Sequence, residues 1–246
     1  MKTEEIFGIK ILSGTREEML EKCIASIGKG GIISTLNPEI IRASLDNKEL
    51  YSALRKSVNI PDGIGVKIAL SLKGVKTERF PGVELGEEIL DIKPLRLAII
   101  GGEAGIAAIA LENLSKKHKM VIPTFARDGY SLSKREIRAL LSLYSPDVIF
   151  VCLGSPKQEI FSYNMHKIYN RGLFISLGGS ADIYSERKKR SPKIFRLFGL
   201  EWFFRVLREP KRIKRLPGIF GFFWQGMKFR EFKPKNYPKT IKNHRK

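Results

Sequence analysis

The sequence predicts an α/β protein with a doubly wound, mostly parallel sheet and a basic, aromatic-rich helical appendage at its C-terminal end. Short apolar runs alternate with segments of helical period through the first 177 residues. These runs read as strands covered on both faces, and parallel neighbours need long return paths, so the intervening helices cover both sides of the sheet. Positive charge is concentrated past residue 186, where 20 Lys and Arg stand against 3 Glu, while residues 1–186 hold 25 against 22 acids. The predicted division is therefore a Rossmann-like catalytic body over 1–186 and a cationic appendage over 187–246.

In chain order, 7–12 is a predicted strand, and 16–27 a helix with Met19, Leu20, Cys23, Ile24 and Ile27 on one face. A strand at 31–35 precedes helices near 38–45, 47–56, 64–73 and 83–91. The strand at 95–100 ends in Gly101-Gly102 and opens a helix to about residue 115. Strands at 120–125, 147–153 and 173–177 are separated by helices at 133–143 and 156–168, the first carrying Ile137, Leu140, Leu141 and Tyr144 in phase. In such a sheet ligands lie beyond the carboxyl ends of the strands. This directs attention to 35–37, 101–105, 124–130, 154–159 and 178–182.

At 246 residues and 43% hydrophobic, the chain has ample material for a core. Cys23 and Cys152 lie in apolar patterns without a C-x-x-C partner, which points to core packing in a reducing compartment rather than disulfide or zinc chemistry. The first ten residues, MKTEEIFGIK, are acidic where a signal peptide is basic, so a cytoplasmic location is expected. No segment reaches the roughly 18 uninterrupted apolar residues of a spanning helix.

Three turns carry candidate chemistry. Gly101-Gly102-Glu103-Ala104-Gly105 joins a strand to a helix, where backbone N–H groups and the helix dipole receive phosphate. The bland alternative is a tight turn closing a β-α unit. No acid ends the following strand, which disfavours a dinucleotide and hence an oxidoreductase, and no P-loop is present. Gly154-Ser155-Pro156-Lys157-Gln158-Glu159 places Gln158 and Glu159 in a first helical turn near the crevice, where Gln158 suits a hydroxyl or a uracil edge. In Asn59-Ile60-Pro61-Asp62-Gly63-Ile64-Gly65-Val66, Asp62 is either a turn residue or a carboxylate held for chemistry, and Gly63 and Gly65 would let backbone pass close to a sugar.

The three histidines have no metal-ligand spacing and no D-x-D occurs, so neither a metal nor another cofactor is expected. Any bound diphosphate must then be neutralised by arginines or helix N-termini. Arg79 is one candidate. Arg205, Arg208, Arg212 and Arg215 are spaced to fall within about 80° on an unbroken helix, although Pro210 interrupts the run. Interleaved with Trp202, Phe203, Phe204 and a second aromatic run at 219–224, they suit an anionic membrane surface or a nucleic acid.

Taken in order, Thr35-Leu36-Asn37-Pro38-Glu39, Pro61-Asp62-Gly63-Ile64-Gly65-Val66, Arg79-Phe80-Pro81-Gly82-Val83-Glu84-Leu85, Gly129-Tyr130, Leu153-Gly154-Ser155-Pro156-Lys157-Gln158-Glu159, Gly178-Gly179-Ser180-Ala181-Asp182 and Gly199-Leu200-Glu201-Trp202 with Arg205 and Glu209-Pro210-Lys211-Arg212 resemble the WecG/TagA/CpsF family of bacterial glycosyltransferases, glycosyltransferase family 26. The resemblance covers nearly all of 5–225. It implies metal-free, inverting transfer of an N-acetylmannosamine-type sugar from its UDP form to a polyprenyl-diphosphate-linked N-acetylglucosamine at the inner face of the membrane. It further implies Asp62 as general base, Thr35, Asn37 and Gln158 as polar pocket residues, and Arg79 as a phosphate ligand. Arg205, Arg208, Arg212 and Arg215 correspond to arginines of a membrane-docking appendage thought to close the active site, so the membrane rather than nucleic acid is the expected partner. A homo-oligomer stays open. One departure is Glu84, where the family often has aspartate; the extra methylene bears on donor preference or on nothing.

Overall fold

The computed structural model describes residues 2–129, 133–210, 213 and 216–228. Its centre is a six-stranded, fully parallel sheet made of β3 (Gly31–Leu36), β4 (Val58–Pro61), β5 (Leu95–Gly101), β6 (Val121–Arg127), β7 (Val148–Cys152) and β8 (Leu173–Ser176), in the order β4-β3-β8-β7-β5-β6. The chain steps outward in one direction from β3 to β4 and in the other from β5 to β6, and all six carboxyl ends lie along one edge of the sheet, the side on which such folds form their ligand crevice.

Alternation along the strands assigns the two faces. Leu97, Ile99, Phe150 and Ile175 face a core formed with α1 (Arg16–Ile24), α5 (Gly82–Leu90), α6 (Ile106–Lys117) and α9 (Ser180–Tyr184). Ala98, Ile100, Ile149, Val151 and Phe174 face the opposite way, against α7 (Lys134–Tyr144) and α8 (Lys157–Tyr169). This is the doubly wound arrangement expected. Both cysteines are buried and free, and burial pushes each thiol up to about 12, which makes them inert core residues.

The expected strand at 7–12 is not part of this sheet. Phe7 and Gly8, at φ 52° and 78°, form a two-residue turn between β1 (Lys2–Ile6) and β2 (Ile9–Ser13), an antiparallel hairpin in which Ile6 faces Ile9. The sixth sheet strand is instead β4, which had read as the approach to a turn. Pro61 is tolerated because β4 lies at the sheet edge. Asn59 ties the hairpin to it, its Nδ2 donating to the carbonyls of Lys10 (2.8 Å) and Leu54 (2.7 Å).

A third core lies under the hairpin, α2 (Pro38–Asp46), α3 (Lys48–Lys56) and α4 (Ile64–Leu72). The C-terminal segment forms α10 (Lys193–Leu197), α11 (Glu201–Arg208) and α12 (Leu216–Lys228). Phe222 of α12 is 1% exposed and meets Phe7 edge-on at 5.7 Å, so α12 completes that core. Among the described residues no helix is long and apolar enough to cross a membrane.

Candidate active site

The site is built where β3 and β4 end side by side. Leu36 pairs with Pro61, so Asn37 and Asp62 leave neighbouring strands at one level, and the N–H of Asp62 donates to the Leu36 carbonyl at 2.9 Å. The Asp62 carboxylate then accepts the N–H of Gly82 at 3.1 Å. That contact has a local cause: Gly82 opens α5, whose N-cap is Pro81, a residue with no side-chain acceptor. An orphan donor at a helix start needs a partner, and Asp62 supplies it from another strand. The carboxylate is half-buried at the positive end of the α5 dipole.

Thr35 lies beneath it, buried, with Oγ1 donating to the Ser176 carbonyl at 2.9 Å. A Cβ on Gly82 would stand 3.1 Å from that oxygen, so Thr35, Asp62 and the first turn of α5 form one packed cluster. Asn37 caps α2, its Oδ1 accepting from the Ile40 N–H at 3.0 Å, which leaves its amide nitrogen to offer a ligand. Gly65 has a packing reason of its own: a Cβ there would sit 2.4 Å from Pro38 Cγ.

Gln158 and Glu159 are both buried rather than displayed in the crevice. Gln158 Oε1 accepts the Gly178 N–H at 2.8 Å and Nε2 donates to Glu159 Oε1 at 2.7 Å, so the amide staples the turn after β8 to the start of α8. Because Gly178 N–H can only donate, the orientation of this amide is fixed by its partners. Burial pushes the Glu159 carboxyl above its usual range against the opposing hydrogen bond from Gln158, and its Oε2 has no hydrogen-bond partner among the described residues.

The β5–α6 turn approaches β7 closely. A Cβ on Gly101, at φ 129°, would fall 2.3 Å from the Cys152 carbonyl, and Gly102 bridges Cys152 O and Gly129 N–H. These glycines are thus required by the fold, and no side chain caps α6, whose N-terminus is the feature that suits a phosphate.

Arg79 is engaged by the C-terminal segment. Its Nη1 donates to Glu201 Oε1 at 3.0 Å and its Nη2 to the Arg196 carbonyl, joining the loop before α5 to α10 and α11. Glu84 is held between Arg16 Nη1, at 2.7 Å, and Arg190 Nη2. Burial pushes its carboxyl up, but the two guanidinium groups, Arg190 foremost, outweigh this and hold it below the usual range. Arg208 is exposed, with its guanidinium 5.2 Å from the Phe204 ring centre. Arg212, Arg215 and Tyr130, and the side chain of Arg205, lie outside the described residues. Sequence reasoning missed Arg16, Arg190 and Glu201, whose ion-pair partners are 68 or more residues away and follow no local pattern.

Among the described residues no group of three or more His, Cys, Asp or Glu is arranged to hold a metal ion. Buried His118 instead pairs with Asp91 at 2.5 Å, an arrangement remote from the crevice in sequence and role.

Comparison with known proteins completes the description. The model for the "Glycosyl transferase WecG/TagA/CpsF family" matches residues 4–236. The chain is 30% identical over 254 residues to the N-acetylglucosaminyldiphosphoundecaprenol N-acetyl-beta-D-mannosaminyltransferase of Bacillus subtilis, covering 100% of this chain and 99% of that protein. It is 32% identical over 206 residues to the enzyme of the same name from Bacillus spizizenii, with 81% and 80% covered. For the Staphylococcus aureus enzyme of that name the figures are 31% over 194 residues, with 76% of each chain covered.

Proposed function

This chain belongs to the WecG/TagA/CpsF family of glycosyl transferases, and from that membership we propose that it transfers N-acetylmannosamine from its UDP form to polyprenyl-diphosphate-linked N-acetylglucosamine. The observation that carries the reading is the family match over 4–236 together with a carboxylate, Asp62, held at the mouth of the crevice by a backbone donor.

In the proposed reaction the acceptor hydroxyl attacks the anomeric carbon on the face opposite the nucleotide. The new C–O bond forms as the bond to the diphosphate oxygen breaks, and UDP departs with the electron pair. Asp62 takes the hydroxyl proton. A base fixed in place is worth roughly 10²–10⁴ in rate, and the Gly82 N–H contact fixes this one. Thr35 braces the floor of the cluster, Asn37 offers an amide N–H, and Gln158 holds the turns after β7 and β8 at a constant separation.

The diphosphate charge falls to helix N-termini and arginines. Gly101 and Gly102 present the open end of α6, while Arg79 must exchange Glu201 for phosphate to take part. Arg205, Arg208, Arg212 and Arg215 are the remaining cations of this reading. The exposed Ile194, Leu197, Phe198, Trp202, Phe203, Leu207, Phe220 and Trp224 give the appendage an apolar surface among its lysines and arginines. A lipid-linked acceptor makes that surface a membrane-docking face, with the enzyme peripheral on the inner leaflet.

A donor panel tests the reading. UDP release should require both UDP-N-acetylmannosamine and a short-prenyl-diphosphate N-acetylglucosamine, and should be unchanged by EDTA. Release with another UDP-hexose alone would reject the donor, and loss of release in EDTA would reject metal-free transfer.

A further inference from the structure

The loop and first helical turn over residues 79–84 face two ways. Inward, Phe80 donates its N–H to the Pro61 carbonyl at 2.7 Å with its ring fully buried, and Gly82 donates to Asp62 Oδ1. Outward, Arg79 reaches Glu201 and the Arg196 carbonyl, and Glu84 reaches Arg190. One short segment thus touches the candidate base on one side and residues 190–201 on the other.

We propose that Glu84 and Arg190 form a positioning pair that couples the seating of the C-terminal segment to the placement of Asp62, acting through the first turn of α5. The proposal rests on Asp62 being the base.

Three features couple the turn to the site. Gly82 packs closely on the core, since a Cβ there would meet Thr35 Oγ1 at 3.1 Å and Leu177 Cδ2 at 3.4 Å. Its N–H is the helix-start donor that Asp62 satisfies, so a shift of α5 moves or releases the carboxylate directly. Glu84 lies two residues further along the same turn, with 20% of its side chain exposed, where an ion pair is less screened than at an open surface.

Arg16 grips the same carboxylate from the body, and its own partners there do not belong to the C-terminal segment. Arg16 also binds Glu88 at 2.5 Å, while its guanidinium lies 4.6 Å from the Phe80 ring centre. The body alone therefore keeps α5 folded, and Arg190 supplies the second grip that sets its position. This separates placement from stability, which a merely structural ion pair does not do. It also gives Glu84 a use: its side chain reaches both guanidinium groups at once.

The test uses the full chain with UDP-N-acetylmannosamine and the short-prenyl acceptor. Arg190→Ala and Glu84→Gln should each lower kcat by about 10- to 100-fold, the scale of a small misplacement of a reacting group, with donor KM close to wild type and, in Arg190→Ala, which keeps the Arg16 grip, Tm close to wild type as well. Arg190→Lys should recover most of the loss. The double variant should be no worse than Glu84→Gln alone, because that variant has already lost the ion pair with Arg190. Full kcat in Arg190→Ala beside an inactive Asp62→Asn overturns the coupling and leaves the base assignment standing. Normal turnover in Asp62→Asn overturns the base and the coupling together. A kcat loss in Arg190→Ala that only tracks its unfolded fraction also overturns the coupling.

Discussion

Asp62→Asn is expected to lower kcat by about 10²–10⁴ while leaving the folded protein nearly as stable as wild type. The two halves of that expectation come from the two jobs of one side chain. As a cap, Asp62 accepts the Gly82 N–H, and asparagine accepts as well through its amide oxygen, since the two residues rank alike at helix starts. As a base, only the carboxylate can take a proton from the acceptor hydroxyl. Alanine would be a poorer probe, because it removes the cap at a cost of about 1 kcal/mol and mixes the effects. Thermal unfolding and UDP binding should therefore be near normal in the asparagine variant. Near-normal turnover in a well-folded variant would reject the assignment.

The second large effect concerns the exposed rings of the C-terminal segment. Replacing Trp202, Phe203, Phe220 and Trp224 by serine should weaken binding to anionic vesicles by roughly 1000-fold, taking about 1 kcal/mol of apolar burial from each ring. Transfer to a full-length polyprenyl acceptor in vesicles should fall with it, whereas transfer to a short-prenyl acceptor in solution should persist. The remaining lysines and arginines would keep a weak, salt-sensitive attraction. These positions are chosen over truncation because Phe222 is inserted between α2 and the hairpin, so cutting the segment away would open a core. Equal loss on both acceptors, or unchanged vesicle binding, would contradict the docking role.

Much of this was legible in the sequence because it depended on local pattern. Five of the six sheet strands coincide with short runs rich in apolar residues, and the helices between them declare themselves by period, so the doubly wound sheet followed directly. The hairpin was misread because Ile6 through Leu12 is one apolar stretch in which only the positive φ of Phe7 and Gly8 reveals a turn. β4 was missed because four residues containing Asn59 and ending in Pro61 carry too little signal, and its place beside β3 is a tertiary fact.

The site divides in the same way. Asp62 and Asn37 follow the ends of β4 and β3, and Thr35 lies in the last paired stretch of β3, where a parallel sheet gathers its ligands; strand order brings them together. Gln158 and Glu159 were found at the right turn but turned inward, since only the Gly178 N–H shows where the amide points. Arg79, read as a phosphate ligand, pairs in this structure with Glu201, a partner 122 residues away, and Glu84 is bound to Arg190, 106 residues away. Ion pairs across such separations leave no periodic trace in a single chain.

The most direct measurement of the central claim is the anomeric configuration of the lipid-linked disaccharide, read by nuclear magnetic resonance after transfer from α-configured UDP-N-acetylmannosamine. Single displacement with Asp62 as base predicts a β-linked N-acetylmannosaminyl product and one UDP released per linkage formed. An α-linked product, or UDP release without a new glycosidic bond, would contradict it.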